Sequence, residues 1–97
     1  MVRRKVEMAQ IKSIVDDCAP EVDVLLPYDE ERLSLYLRLL DAEAEGANWR
    51  QVAQIVLGRD PEAQPEITYQ CWQTHLKRAH WIAAARYEAF RDGKSHD

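Results

Sequence analysis

Apolar residues recur at helical spacing along most of the chain, and no stretch alternates in the way that a β-strand does. The clearest helical pattern lies in the segment 46–58, where the spacing i, i+3, i+4, i+7 predicts one buried stripe. That stripe consists of Trp49, Val52, Ala53 and Val56.

Polar and glycine residues mark the ends of this short predicted helix. Asn48 is a residue type that caps helix N-termini, and Gly58 suits the left-handed residue that ends a helix. Gly46 can end the preceding helix in the same way. A short helix with a sharp turn on each side is typical of the first half of a helix-turn-helix.

A longer helix is predicted over residues 29–45, with Asp29 as its N-cap. Leu35 and Leu39 lie on the flank of its apolar stripe, so they either widen the contact with the core or form an exposed patch for a partner. The predicted stripe itself consists of Leu33, Tyr36, Leu37, Leu40 and Ala44.

From Ile67 to about Arg91 the pattern predicts one long helix, or two helices in line. At about 100° per residue, Trp81 points away from the predicted apolar face. Either Trp81 is an exposed anchor for a partner, or the helix bends near His80 and turns Trp81 into the core. The predicted apolar face consists of Tyr69, Trp72, Leu76, Ala79, Ala83, Tyr87 and Phe90.

The remaining segments predict the domain organisation. Residues 1–18 read as an N-terminal segment, either a helix over residues 4–17 or a loose arm. Residues 19–92 read as a helix-turn-helix-like domain, and 93–97 as a flexible tail with Gly93 as a helix stop. The loop 59–66 contains two prolines and is longer than a standard turn. We therefore expect an all-α fold: a small bundle of four to five helices containing a variant helix-turn-helix with a long turn.

The candidate chemistry is sparse. The 97 residues suit one modest core, and Cys18 and Cys71 are expected as reduced thiols in or near it, with a metal or disulfide role second. His75 and His80 are five positions apart, which is not the spacing of paired ligands on one helix face. We expect no enzyme, no metal, no cofactor, no small-molecule substrate and no membrane span, and a cytoplasmic location.

The net charge of −4 is unevenly distributed. Residues 1–15 carry +3, owing to Arg3, Arg4, Lys5 and Lys12, and residues 67–94 also carry +3. Residues 16–66 hold thirteen acids and four arginines, a balance of −9. An acidic middle opposes approach to a nucleic-acid duplex and favours a protein partner.

The glycine-bounded segment 46–58, which begins G-A-N-W-R-Q-V-A and ends L-G, resembles a domain of proteobacterial regulators of integrative and conjugative elements. The resemblance extends from about Leu26 to Phe90. That family, formerly of unknown function, is a helix-turn-helix variant. It includes DNA-binding activators of the FseA type and small antiactivators of the QseM type. Activators that resemble this chain carry an arginine-rich last helix, whereas residues 74–81 contain two adjacent cations.

The resemblance and the acidic charge together favour a transcriptional antiactivator, which binds an activator directly. The partner would be an activator with a related domain, or a quorum-sensing receptor, and acidic mimicry of DNA is a variant of this hypothesis. The predicted partner-binding residues are Trp81, Lys77, Arg78, Thr74, Gln70, Leu35 and Leu39.

The alternative is a DNA-binding helix-turn-helix regulator, in which the helix from Ile67 enters the major groove. Arg50 and Arg78 would contact phosphates, and the other predicted residues would face bases. The residues predicted to face bases are Thr68, Gln70, Gln73, Thr74 and Lys77.

Overall fold

The structure, a computed structural model, describes the backbone of residues 15–95 and the side chains of residues 15–86. Across that part of the chain the fold is all-α, as predicted, with no strand. The four helices are α1 Pro27–Glu30, α2 Leu33–Ala44, α3 Trp49–Ile55 and α4 Pro65–Ser95. Of the predicted first helix at 4–17, residues 15–17 are not helical, and the rest lies outside the described residues.

Residues 15–26, which we call the strap, are irregular chain that lies along α4. Val15 and Ala19 are buried, and the Ala19 amide donates to Thr74 Oγ1 at 3.0 Å. The carbonyl oxygens of Val22 and Val24 accept from the Arg78 guanidinium. The strap therefore belongs to the folded domain.

The predicted helix at 29–45 is interrupted. Pro27 begins α1, and Asp29 Oδ2 accepts from the Leu26 amide at 2.9 Å, so the carboxylate caps α1. The helix then breaks, and α2 begins at Leu33. The prediction of Asp29 as the N-cap of one continuous helix was wrong, because α1 begins two residues earlier with Leu26 as its N-cap, and Asp29 is the third residue of α1.

The buried face of α2 is rotated from the predicted stripe. Leu35, Tyr36 and Leu39 are buried, whereas Leu37 is 62% exposed. Leu35 and Leu39 are therefore core residues and not a surface patch. Because α4 packs on this side of α2, the predicted stripe through Leu37 lies at the margin of the contact.

The helix α3 matches its prediction closely. The Asn48 Oδ1 accepts from the Arg50 amide at 2.8 Å, and Gly46 and Gly58 have φ of +72° and +67°. Val52, Ala53 and Val56 are buried, and Trp49 is partly buried against the core.

The long helix α4 begins with Pro65 at its first position, where a missing amide donor costs nothing. The turn before it is stabilised by the Asp60 carboxylate, which accepts from the Glu62 and Ala63 amides. At the other end, α4 continues past Gly93 to Ser95, so the prediction of Gly93 as a helix stop was wrong.

The buried face of α4 also differs from the prediction. Tyr69 is 41% exposed and Ala83 is exposed, although both were predicted to face the core. Leu76 and Ala79 are buried as predicted, but the buried face also includes three polar side chains, whose donors and acceptors find partners inside the protein. The buried α4 residues are Thr68, Cys71, His75, Leu76, Arg78, Ala79 and Ile82.

The two cysteines are both free thiols. Cys71 is fully buried, and burial raises its pKa to about 11. Cys18 is exposed, so its predicted place in or near the core was wrong. Its Sγ lies 2.7 Å from Gln70 Nε2 on the surface of α4.

Candidate nucleic-acid interface

The N-terminal half of α4 presents polar side chains to solvent on the side away from the core. Gln70, Gln73 and Lys77 are exposed and spaced i, i+3, i+7, so they share one helix face. Glu66 is exposed at the start of the same face. We call Gln70, Gln73 and Lys77 the amide–lysine face.

The strap borders one side of this face. Gln70 donates to Cys18 Sγ, and the Thr74 hydroxyl donates to the Gln70 carbonyl at 2.9 Å. Thr74 is partly buried and also accepts from the Ala19 amide. Thr74 therefore holds the strap in place and has less freedom to contact a ligand than Gln73 or Lys77.

An aromatic cluster borders the other side. The ring centroids of Trp49 and Tyr69 are 5.0 Å apart and nearly perpendicular, and Trp72 lies 6.0 Å from Trp49. This packing fixes α3 against α4. The exposed Arg50 guanidinium stacks 4.9 Å above the Trp49 ring, so the aromatic cluster also carries a cation.

Two predicted contact residues are buried. Thr68 is 1% exposed and donates from Oγ1 to the Asp60 carbonyl, so it stabilises the start of α4. Arg78 is 4% exposed, and its guanidinium donates to Asp29 and to two strap carbonyls. Neither side chain is available to a base or a phosphate in this structure.

Arg78 and Asp29 each stabilise the charged form of the other. The hydrogen bond to Asp29 raises the pKa of Arg78, with burial acting in the opposite direction. Burial opposes the ionisation of Asp29, but hydrogen bonds from Arg78, Leu26 and Tyr36 outweigh it and lower the pKa of Asp29. Burial and the bond to Asp29 raise the pKa of Tyr36. These groups thus form a fixed ion pair with a neutral phenol beside it.

Trp81 follows neither of the two alternatives left open by the sequence. The helix α4 is one continuous element through His80, and Trp81 is partly buried against the core. Its ring packs 4.2 Å from the Arg78 guanidinium carbon. Trp81, Lys77 and Thr74 also line a shallow cleft beside the strap.

Arg59, which contacts the strap, has an acidic neighbour. It pairs with Asp17 at 2.7 Å. Burial opposes the charge on Arg59, but the hydrogen bond to Asp17 outweighs it and raises the pKa of Arg59. Lys77 is the cation of the amide–lysine face itself, and Arg50 lies on the neighbouring aromatic cluster.

Within residues 15–86, no group of three or more His, Cys, Asp or Glu side chains is arranged to hold a metal ion. In the same described part of the chain, no helix combines the length and apolar character needed to cross a bilayer.

The geometry defines a small helical domain that offers a polar face of one long helix, supported by a short helix and a turn. Residues 4–91 match the family model RovC_DNA-bd, described as the DNA-binding domain of a T6SS transcription factor. The chain therefore belongs to this family of transcription-factor DNA-binding domains. No curated protein matches the chain significantly. The narrower resemblance to conjugative-element regulators stays a prediction.

Proposed function

We propose that this chain is a DNA-binding domain of a transcriptional regulator and that the amide–lysine face reads the DNA. The observation that carries the proposal is the alignment of Gln70, Gln73 and Lys77 on the solvent face of α4. Family membership supports it independently. DNA binding, which was the alternative inferred from the sequence, thus becomes the main proposal, and the antiactivator becomes the second candidate.

The side chains on this face suit direct readout in the major groove. A glutamine amide can bond both N6 and N7 of adenine, and a lysine can bond O6 and N7 of guanine. Gln73 has the more open position, because Gln70 also bonds Cys18. We propose that Arg50, which stacks over Trp49, contacts a phosphate at the edge of the groove.

The acidic balance of the domain means that further cations are needed for affinity. The sequence supplies Arg3, Arg4, Lys5 and Lys12 just before the strap. The strap enters the domain beside the face, since Cys71 Sγ donates to the Asp16 carbonyl and Gln70 bonds Cys18. We propose that these basic residues contact phosphates next to the groove read by α4.

The test begins with selection of bound sequences from a random duplex pool at low salt, using the full chain. An enriched motif should then be bound more weakly, and with relaxed specificity at one position, by Gln73→Ala. The matched control is Gln54→Ala, an exposed glutamine on α3, which should leave affinity unchanged. Failure to enrich any sequence, or equal effects of the two variants, would overturn the proposal.

A second candidate is the antiactivator, which binds a transcriptional activator with a related domain or a quorum-sensing receptor. The observation that favours it is the −9 balance of residues 16–66. It requires a contact surface other than Leu35 and Leu39, which are buried. A stoichiometric complex with a purified activator, together with no enrichment of DNA, is the result that would select this function.

A further inference from the structure

Glu66 is the first residue of the solvent-facing stripe on α4, and it takes no part in the proposed contacts of the amide–lysine face. It is exposed and lies in the first turn of the helix. At about 100° per residue, Glu66, Gln70, Gln73 and Lys77 fall within a sector about 60° wide. The polar stripe therefore begins with a carboxylate at its N-terminal end.

The backbone on both sides of Glu66 is fixed by hydrogen bonds. Pro65 begins α4, and the Thr68 amide donates to the Gln64 carbonyl at 3.0 Å. The buried Thr68 hydroxyl donates to the Asp60 carbonyl at 3.2 Å, which ties the first turn of α4 to the domain. Glu66 thus projects from a pre-organised position, as a side chain that reads a base must.

The Glu66 carboxylate is open to a ligand. No ion pair within residues 15–86 includes it. Gln70, one turn later on the same face, donates its amide to Cys18 on the strap. An ionised carboxylate accepts hydrogen bonds and donates none, so this end of the stripe suits a group that presents donors.

In the major groove of DNA, few groups meet that requirement. Cytosine presents the N4 amino donor, whereas guanine presents two acceptors and thymine presents an acceptor and a methyl group. Adenine has a donor at N6, but it lies beside the N7 acceptor, which repels a second carboxylate oxygen. The phosphates repel a carboxylate as well. Cytosine is therefore the base that best matches Glu66.

We propose that Glu66 reads a cytosine at one end of the DNA site and adds specificity by rejecting the other bases. The inference rests on the proposed DNA-binding function, in which the N-terminal residues of the reading helix contact base edges. The seven residues from Glu66 to Gln73 cover about 10 Å, or about three base pairs at 3.4 Å each. The cytosine thus lies about three base pairs from the base read by Gln73.

Affinities for the selected duplex and for its single-base variants, measured by fluorescence anisotropy with the full chain, test the proposal. The wild-type chain should prefer C·G at the Glu66 position by about tenfold, which is typical of one mismatched pair. Glu66→Gln keeps the shape of the side chain and removes its charge. It should lose the preference and bind random DNA more tightly, because one repulsive charge fewer faces the phosphates.

Glu66→Asp separates reach from charge. It keeps the carboxylate but shortens the side chain, so it should lose the preference without binding random DNA more tightly. The matched control is Glu62→Gln, which removes the same charge from an exposed position in the turn before α4. It should tighten binding to random DNA and keep the preference for C·G. Far-ultraviolet circular dichroism checks that each variant is folded.

The outcomes separate this inference from the proposed function. A wild-type preference for C·G that survives in Glu66→Gln, or that is lost equally in Glu62→Gln, would overturn the role of Glu66 while the enriched motif keeps the DNA-binding function. A pool from which no sequence is enriched would overturn both.

Discussion

The Arg78 guanidinium lies 2.8 Å from the Asp29 carboxylate, and the two side chains are 3% and 0% exposed. The pair joins α4 to the chain just before α2. Tyr36 donates to the other oxygen of Asp29 at 2.9 Å, so the carboxylate is satisfied by the two side chains and by the Leu26 amide. Within the described side chains, no buried polar atom lacks a partner.

Removing one member of this pair should be strongly destabilising. Arg78→Met leaves a buried, unpaired carboxylate, so the free energy of unfolding should fall by about 3–5 kcal/mol. Urea denaturation measures the change, and Arg38→Met, at an exposed arginine of α2, is the control. The double variant Asp29→Leu/Arg78→Met should recover part of the loss. A loss below about 1 kcal/mol in Arg78→Met would mean that the pair is not buried in solution.

His75 should make the domain sensitive to mild acid. Its Nδ1 lies 2.8 Å from the Cys71 carbonyl and its Nε2 lies 2.7 Å from Tyr28 Oη, which suits a neutral ring with hydrogen on Nδ1. Burial lowers the pKa of His75, assisted by Arg59 and Arg32 and opposed by the Cys71 bond and Asp16. The unfolded chain therefore binds the proton first.

Proton linkage sets the direction in which the free energy of unfolding changes with pH. Stability should be insensitive to His75 above about pH 6.5 and should decrease as pH falls below it, because protons favour the unfolded chain. Urea midpoints between about pH 7.5 and pH 5 measure this slope. His75→Gln should flatten this slope. Equal slopes in wild type and His75→Gln would contradict the assignment.

The two thiols should differ in reactivity. Cys18 is exposed, whereas burial raises the pKa of Cys71 to about 11, so little thiolate forms at neutral pH. A disulfide reagent should modify one thiol rapidly in the native protein and both in denaturant. Cys18→Ser should abolish the rapid phase. Because Cys18 touches Gln70, modification should also weaken DNA binding; unchanged DNA affinity after full modification would argue against the proposed face.

Substitution of Gly58 should lower the free energy of unfolding because of the left-handed backbone conformation of this residue. Its φ is +67°, and a Cβ added there would meet no atom within 4 Å. The cost of Gly58→Ala is therefore the left-handed backbone alone, about 1–2 kcal/mol in the free energy of unfolding. Gly58→Asn should cost less, since asparagine tolerates this conformation. Thermal unfolding of both variants measures the order, and an alanine as stable as asparagine would contradict it.

Lys77 should contribute to the salt dependence of DNA binding. Lys77→Ala should lower affinity and, because one cation fewer then offsets the phosphate charge beside the groove, reduce the slope of log affinity against log salt by about 1. Fluorescence anisotropy at several salt concentrations measures the slope. Arg38→Ala removes an exposed cation from α2 and should leave the slope unchanged. Equal effects of the two substitutions would indicate a diffuse electrostatic contribution.

The sequence predicts the local elements well and the buried polar contacts poorly. Asn48, Gly46 and Gly58 act through the backbone within a few residues, so a single sequence reveals the bounds of α3. Asp29 and Arg78 are 49 positions apart, and their pairing has no local signal. An apolar-face argument assigns arginine and histidine to the surface, which is why the buried face of α4 was misplaced.

Contacts between residues far apart in the sequence also decide which of the predicted site residues are exposed. Gln70, Gln73, Lys77 and Arg50 were predicted as DNA contacts, and the structure leaves them exposed, although their role stays a prediction. Thr68 is buried and bonds the Asp60 carbonyl. Arg78 is buried and bonds carbonyls of the strap. Sequence spacing alone does not reveal this, because the strap has no regular secondary structure.

The strap has a consequence for how the domain can be shortened. A fragment cut at Pro27 would keep the four helices of residues 15–95 yet lose the carbonyls of Val22 and Val24 that bond Arg78. The same cut would remove the buried side chain of Val15 from the core and the Ala19 amide that donates to the Thr74 hydroxyl. We therefore expect the smallest autonomously folding unit to include the irregular chain from Val15 onward.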